Sequence, residues 1–343
     1  MTLRERERAP HMQTARKSRV GCLWAVILFQ ALALLALLAI GGLAFLLRSS
    51  LPRPGAVGGA GVDENPDFTE VWSCGAGPVK VVRIPLTGMI LMEEEGGLFS
   101  RGSGSAVMAL RSIRRATHDA RVRAIILEVD SGGGGITASD VLYHALEEFR
   151  RSADGRRIVS IFGDVAASGA YYVAAASDYI VARPTSVTGS IGVLLHSLNI
   201  RELSQKIGVR SVTIKSGANK DLLNPFEDLT EEQKRLLQAL VDEFYDRFVA
   251  LVADGRALDT GRVRALADGR VFTASQALEL GLVDEIGYWE HAVARTAELL
   301  AVRDVKVYRY EPEFSLASLI RSRLAWDPAG HWVDELSQLR LVF

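Results

Sequence analysis

Between Val20 and Leu47 the chain carries 28 consecutive residues without a formal charge, VGCLWAVILFQALALLALLAIGGLAFLL, with Gln30 as the only strongly polar side chain. At about 1.5 Å per residue such a run exceeds the ~30 Å hydrocarbon core of a bilayer, so a single membrane-spanning helix is predicted over 20–47. A cleaved signal peptide has an apolar run of only roughly 7 to 15 residues, and this one reads as a retained anchor. Arg4, Arg6, Arg8, Arg16, Lys17 and Arg19 precede it, whereas only Arg48 and Arg53 follow closely. The positive-inside bias therefore puts the basic tail, 1–19, in the cytoplasm and everything after the anchor outside the cell (inner) membrane. Cys22 falls inside the run without a small-apolar lipobox-like lead and reads as a buried membrane thiol. Residues 48–78, rich in Gly, Pro, Ala and acidic side chains and lacking apolar periodicity, have the composition of a linker.

The remainder is long enough for one large globular domain or two ordinary ones. With 40 Lys+Arg against 41 Asp+Glu in its 343 residues, the whole chain shows no clustered basic surplus of the kind nucleic-acid binding needs outside its N-terminal tail. Two cysteines, Cys22 and Cys74, exclude a disulfide scaffold and a thiolate-rich metal site. Short β-branched runs near Val79, Arg123, Arg156, Asp178 and Arg210 alternate with helical patterns, the first of them Ser105 to His118. The strand runs are apolar at their centres, as strands covered on both faces are, so an α/β domain with a largely parallel sheet is predicted. A long amphipathic helix follows Thr230, with Gln233 completing a capping box and Leu236, Leu240, Phe244 and Phe248 forming a stripe expected to pack on the core. A helix near Glu290 to Leu300 and a last strand, DVKVYRY, close the domain, which is bounded at 79–310; the tail, 311–343, carries little signal. No internal repeat of the α/β unit is visible.

Two strand-to-helix junctions have the residues for chemistry. Asp130-Ser131-Gly132-Gly133-Gly134-Gly135 concentrates glycine where backbone freedom costs entropy, as a close main-chain approach or a positive φ would require. It permits three readings: a phosphate cradle, weakened because Thr137 stands at the third glycine of a G-x-G-x-x-G pattern; main-chain donors for an oxyanion; or a tight turn. At the second junction Ser168 lies at the start of a helix between Ala167 and Gly169, fit either for an N-cap or for a nucleophile with an unobstructed approach. A nucleophilic serine needs a base. His144 and His196 are the histidines nearest in sequence, and Lys220, at a strand exit, is the most suggestive lysine, serviceable only if burial disfavours its charged form.

Taken together, VKVVRIPLTGMI, VRAIILEVDSGGGGITASD, DVAASGAYYVAAASDYIVARPTSVTGSIGV, KSGANKDLLNPF and ADGRVFTASQALELGLVDEIG, in that order, resemble the signal peptide peptidase A family of membrane-anchored serine proteases. The resemblance runs from about Val79 to Val307 and implies a Clp protease/crotonase-like core. Carried over position by position, it implies Ser168 as nucleophile, Lys220 as general base, Ser190 as the hydroxyl that orients the lysine, and the main-chain N–H groups of Gly169 and the Gly133-Gly134 stretch as oxyanion donors. It implies no metal, nucleotide or other cofactor. Its substrates are remnant signal peptides and other membrane-released or misfolded segments; short single-copy members assemble as homo-oligomers whose lysine reaches a neighbour's serine. Gly132 departs from the family's usual proline, and Ala170 replaces a frequent glycine. Two other readings of the same fold are a non-catalytic membrane scaffold and a Ser/His peptidase using His196. A crotonase-type acyl-CoA enzyme is disfavoured by the anchor, because coenzyme A thioesters are cytoplasmic.

Overall fold

A computed structural model of the chain describes residue 30 and residues 68–92, 105–312 and 341–342. The expected anchor thus lies outside the described residues apart from Gln30; among the described residues no helix is long and apolar enough to cross a membrane. The domain is a mixed α/β structure. Its strands are β1 (Phe68–Cys74), β2 (Val79–Ile90), β3 (Val122–Gly134), β4 (Arg157–Ala167), β5 (Tyr179–Ala182), β6 (Val187–Gly189), β7 (Leu194–Leu195), β8 (Val271–Thr273), β9 (Glu285–Ile286), β10 (Val305–Pro312) and β11 (Leu341–Val342). Its helices are α1 (Ser105–His118), α2 (Ile136–Arg151), α3 (Gly169–Ala174), α4 (Arg201–Lys206), α5 (Glu231–Gly255), α6 (Thr260–Leu266), α7 (Ala274–Leu280) and α8 (Trp289–Leu299).

The main sheet runs β1-β10-β2-β3-β4-β5-β9, with β6 beside the end of β4 and β8 beside β6. From β10 to β9 every pairing is parallel, as expected; only β1 against β10 and β8 against β6 are antiparallel. Alternate side chains of the central strands enter two apolar layers. Val82, Ile84, Leu86, Ile125 and Leu127 pack with α1, α2, α3 and Phe248 of α5, while Val81, Ala124, Ile126 and Val159 pack with Ala292 and Ala297 of α8. Coverage of both faces explains why these strands read as continuous apolar runs.

Three departures from the sequence reading have physical causes. Phe68–Cys74, assigned by composition to the linker, is β1: Glu70 and Trp72 pair with Tyr310 and Tyr308 on the sheet edge, and Phe68 stacks on Tyr310 at 5.6 Å between centroids. The alternating run near Arg210 forms no strand, because no described neighbour offers it an edge; Val212 and Ile214 are 86% and 97% exposed. The stripe on α5 is only half core: Phe248 is fully buried and Phe244 packs against the core, but Leu236 and Leu240 are exposed. The helix does begin with the expected capping box between Thr230 and Gln233.

One ion-pair cluster ties the edge together. Lys80 Nζ lies 2.6 Å from Glu70 Oε1 and 2.7 Å from Asp119 Oδ2, and Asp119 also accepts from the Arg121 backbone N–H at 2.9 Å and from Arg121 Nε at 3.1 Å. Burial alone would push the Asp119 carboxyl up; the hydrogen bonds from Arg121 and Lys80 outweigh it and hold the group far below the usual carboxylate range. A carboxylate depressed in the folded state contributes stability that is complete above its unfolded value of about 3.9 and is lost as pH falls below it. The urea midpoint of the wild type is therefore expected to drop more steeply below about pH 5 than that of Asp119→Asn; parallel profiles would contradict this assignment.

Candidate active site

The C-terminal ends of β3, β4 and β6 bring most of the predicted residues together. β4 pairs with β6 through Val165–Val187, Ala166–Thr188 and Ala167–Gly189, so Ser168 and Ser190 are the next residues along two adjacent strands. Ser168 N–H donates to Gly189 O at 2.8 Å, and Ser168 O accepts from Tyr172 N–H at 2.9 Å, which starts α3. Thr188 Oγ1 donates to Ala166 O at 2.6 Å, and Ser190 N–H donates to Arg270 O at 2.7 Å.

Ser168 stands at the position before α3 with φ 56° and ψ −126°, and its side chain makes no cap hydrogen bond. The N-cap reading of this serine therefore fails on geometry: a capping hydroxyl accepts a first-turn N–H, whereas this Oγ is buried and has no hydrogen-bond partner among the described residues. Ser190 also has a positive φ, 52°. Left-handed conformations at non-glycine residues cost about 1–3 kcal/mol each and persist where surrounding structure imposes them. Here the register of β4 with β6 and the start of α3 impose both.

The glycine turn closes over Ser168. Gly133 has φ 101°, and a Cβ there would stand 2.6 Å from Gly169 N and 3.0 Å from Ser168 Cβ. A Cβ on Gly134 would strike Ile90 O at 2.3 Å, and one on Gly169 would meet Ser139 Oγ at 2.4 Å and Gly134 N at 3.2 Å. Close approach of backbones accounts for Gly133, Gly134 and Gly169. At Gly132, by contrast, a Cβ would meet nothing within 4 Å.

Two residues to which the sequence reading gave no role of their own hold this arrangement. Asp130 Oδ1 accepts from Asp164 and Val165 N–H, both at 3.1 Å, lashing the ends of β3 and β4 together. Ser131 Oγ accepts from Gly133 N–H at 3.0 Å. Their sequence signal was position at the head of the glycine run after an apolar strand.

The candidate bases are not gathered with Ser168. Lys220 is exposed in the irregular stretch between α4 and α5, where its backbone N–H donates to Gly217 O at 3.2 Å. Its neighbour Lys215 is engaged with Asp221 at 2.7 Å, a hydrogen bond that holds that ammonium above the ordinary lysine range. His144 is exposed on α2, 3.4 Å from Glu148, and His196 is exposed beyond β7. No described histidine or lysine hydrogen-bonds Ser168 Oγ.

The peptidase family S49 model matches residues 150–303, a span that includes Ser168, Ser190 and Lys220. A protein named signal peptide peptidase SppA in Enterococcus faecium is 39% identical over 237 residues, 69% of this chain and 68% of the relative. The chain belongs to peptidase family S49. It is a serine peptidase. The chloroplastic serine protease SPPA of Arabidopsis thaliana is 33% identical over 229 residues, 63% of this S49 chain and 33% of the relative. Protease 4 of Salmonella typhi is 34% identical over 208 residues, 61% of this chain and likewise 33% of the relative.

The packing predicts opposite fates for adjacent glycines of this S49 peptidase. Gly133→Ala is expected to lower kcat/KM by at least about 100-fold, because its Cβ would push Ser168 and Gly169 aside, with a lower melting temperature. Gly132→Ala should keep melting temperature within about 2 °C of wild type. Peptide hydrolysis and thermal unfolding of the two variants check this contrast.

Proposed function

We propose that the chain is a membrane-anchored Ser/Lys endopeptidase that cleaves remnant signal peptides or other membrane-released or misfolded segments. The observation that carries the reading is Ser168: a buried hydroxyl without a partner among the described residues, on a positive-φ residue at the mouth of three converging backbones. Ser168 Oγ attacks the scissile carbonyl while Lys220 takes its proton; the tetrahedral intermediate collapses with cleavage of the C–N bond, the Lys220 ammonium passes that proton to the leaving amine, and the acyl-enzyme is then hydrolysed by water activated by the neutral lysine so restored. Gly169 N–H, with Gly133 or Gly134, stabilises the oxyanion. Gly133 N–H reaches it by leaving Ser131 Oγ. Ser190 orients the lysine.

A lysine acts as a base where burial disfavours its charged form, and Lys220 is exposed within one chain. A second copy supplies that burial. The stretch from β7 to α5 that carries Lys220 also exposes Leu198, Leu203, Ile207, Val212 and Ile214, apolar side chains that suit a surface covered by a second copy. Covering this arm with a neighbour's catalytic end places Lys220 against the neighbour's Ser168. The substrate class follows the signal peptide peptidase name of the Enterococcus faecium relative, and the anchor follows the apolar run at 20–47.

Ser168→Ala and Lys220→Ala are each expected to lower hydrolysis of casein and of a short apolar peptide by at least about 10³-fold, and His196→Ala to leave it unchanged. Because nucleophile and base come from different copies, unfolding and refolding the two inactive variants together should restore part of the activity. Full activity in Lys220→Ala, or no recovery in the mixture, contradicts the shared Ser/Lys site.

A further inference from the structure

At the opposite end of β2 from the glycine turn, where β2, β3 and β10 begin, lies a shallow cavity of about 350 Å³ whose lining includes Pro78, Lys80, Arg121, Arg123, Lys306 and Tyr308. Four of these side chains are cationic. Lys80 and Lys306 stand directly opposite each other in the parallel register of β2 and β10, and their Nζ atoms lie 5.3 and 5.6 Å from the centroid of the Tyr308 ring. Like charges directly across a ladder destabilise it, and negative charge nearby offsets that cost.

The chain supplies that compensation only in part. Glu70 and Asp119 answer Lys80, and Asp119 also answers Arg121. Asp304, next in line at the edge, has its oxygens turned to Ala76 N–H at 2.9 Å and Val305 N–H at 2.8 Å. Arg123 Nη2 donates to the main-chain Asp154 O at 2.8 Å. Among the described residues no carboxylate pairs with Arg123 or Lys306, so two cations remain uncompensated on the cavity wall.

We propose that this cavity binds a phosphate group, held between the Arg123 guanidinium and the Lys306 ammonium, with Tyr308 as its floor. A planar guanidinium fork and a rotatable ammonium together suit a tetrahedral oxyanion. The volume exceeds that of a bare ion, at ~30 Å³ for a water-sized occupant, and leaves room for a small ester substituent such as a glycerol head. The site is remote from Ser168 and does not depend on the peptidase reading.

The test uses the full chain in a non-ionic detergent at constant ionic strength, with chloride as reference anion. The probes are inorganic phosphate and dihexanoylphosphatidylglycerol, with dihexanoylphosphatidylcholine as zwitterionic control. At about ten times its Kd a binding probe is expected to raise the melting temperature by roughly 2–5 °C. Arg123→Gln/Lys306→Gln is expected to lose this rise while hydrolysing peptide at the wild-type rate. Lys306→Gln alone, removing an ammonium that makes no hydrogen bond among the described residues, should weaken binding at least about tenfold, and Arg123→Lys should retain it in part. A response to phosphate assigns the site to a free phosphate; a response to the phosphatidylglycerol alone assigns it to a lipid headgroup. No shift beyond chloride with either probe, equal shifts with the phosphatidylcholine, or a shift that survives in the double and single variants overturns the proposal.

Discussion

Strand β4 ends between two neighbours, β3 on one flank and β6 on the other, and the backbone bonds on those flanks fix where Ser168 stands. From β6 come the carbonyl of Gly189, which takes the Ser168 N–H, and Ser190 as the next residue. From β3 comes Asp130, whose carboxylate accepts the N–H groups of Asp164 and Val165. Thus clamped, the chain turns into α3 at a positive φ, and the Ser168 side chain is held away from the capping position a serine ordinarily takes. The strain at Ser168 and Ser190 is sustained by the packing behind them: Tyr171 and Tyr172 of α3 are fully buried, Tyr171 donating to Leu282 O at 2.8 Å and Tyr172 to Asp140 at 2.5 Å.

The same clamp explains the glycines. Once β3 and β4 are lashed together, the Gly133–Gly134 backbone has to pass within van der Waals distance of Ser168, Gly169 and Ile90, and no Cβ fits there. Ser131 Oγ takes the Gly133 N–H and holds the turn across the residue between them, Gly132, which has open space around it. Arg247 of α5 joins this frame by donating to Asp140, which also receives the Tyr172 hydroxyl, so the helix that follows the Lys220 stretch is anchored to α2 and α3.

The α/β core was legible in the sequence because burial on both faces writes itself as short apolar runs between helical periods. Ser105–His118 and the capping box at Thr230 appear where the pattern put them. β1 was not legible, since seven residues beside a Gly-Ala-Gly-Pro turn carry too little period, and their strand exists only because β10 offers an edge. The reverse held at Arg210, where strand-like alternation has no described edge to join. At the site, Ser168 and the glycines stood out as junction residues, while Ser190 and every role came from the resemblance. Asp130 and Ser131 did not stand out, because their work is hydrogen bonding between segments far apart in sequence. Lys220 could be chosen from the resemblance and not from the geometry of one chain, which leaves it exposed.

The central claim, that Ser168 is a nucleophile activated by Lys220, is tested most directly by trapping the acyl-enzyme. A chemically quenched reaction of the full chain with an activated peptide ester, followed by peptide mapping by mass spectrometry, locates the adduct. The account predicts one acyl group on Ser168 in the wild type, formed at least about 10²-fold more slowly in Lys220→Ala. An adduct on another residue, or an equal rate of formation without the lysine, would contradict it.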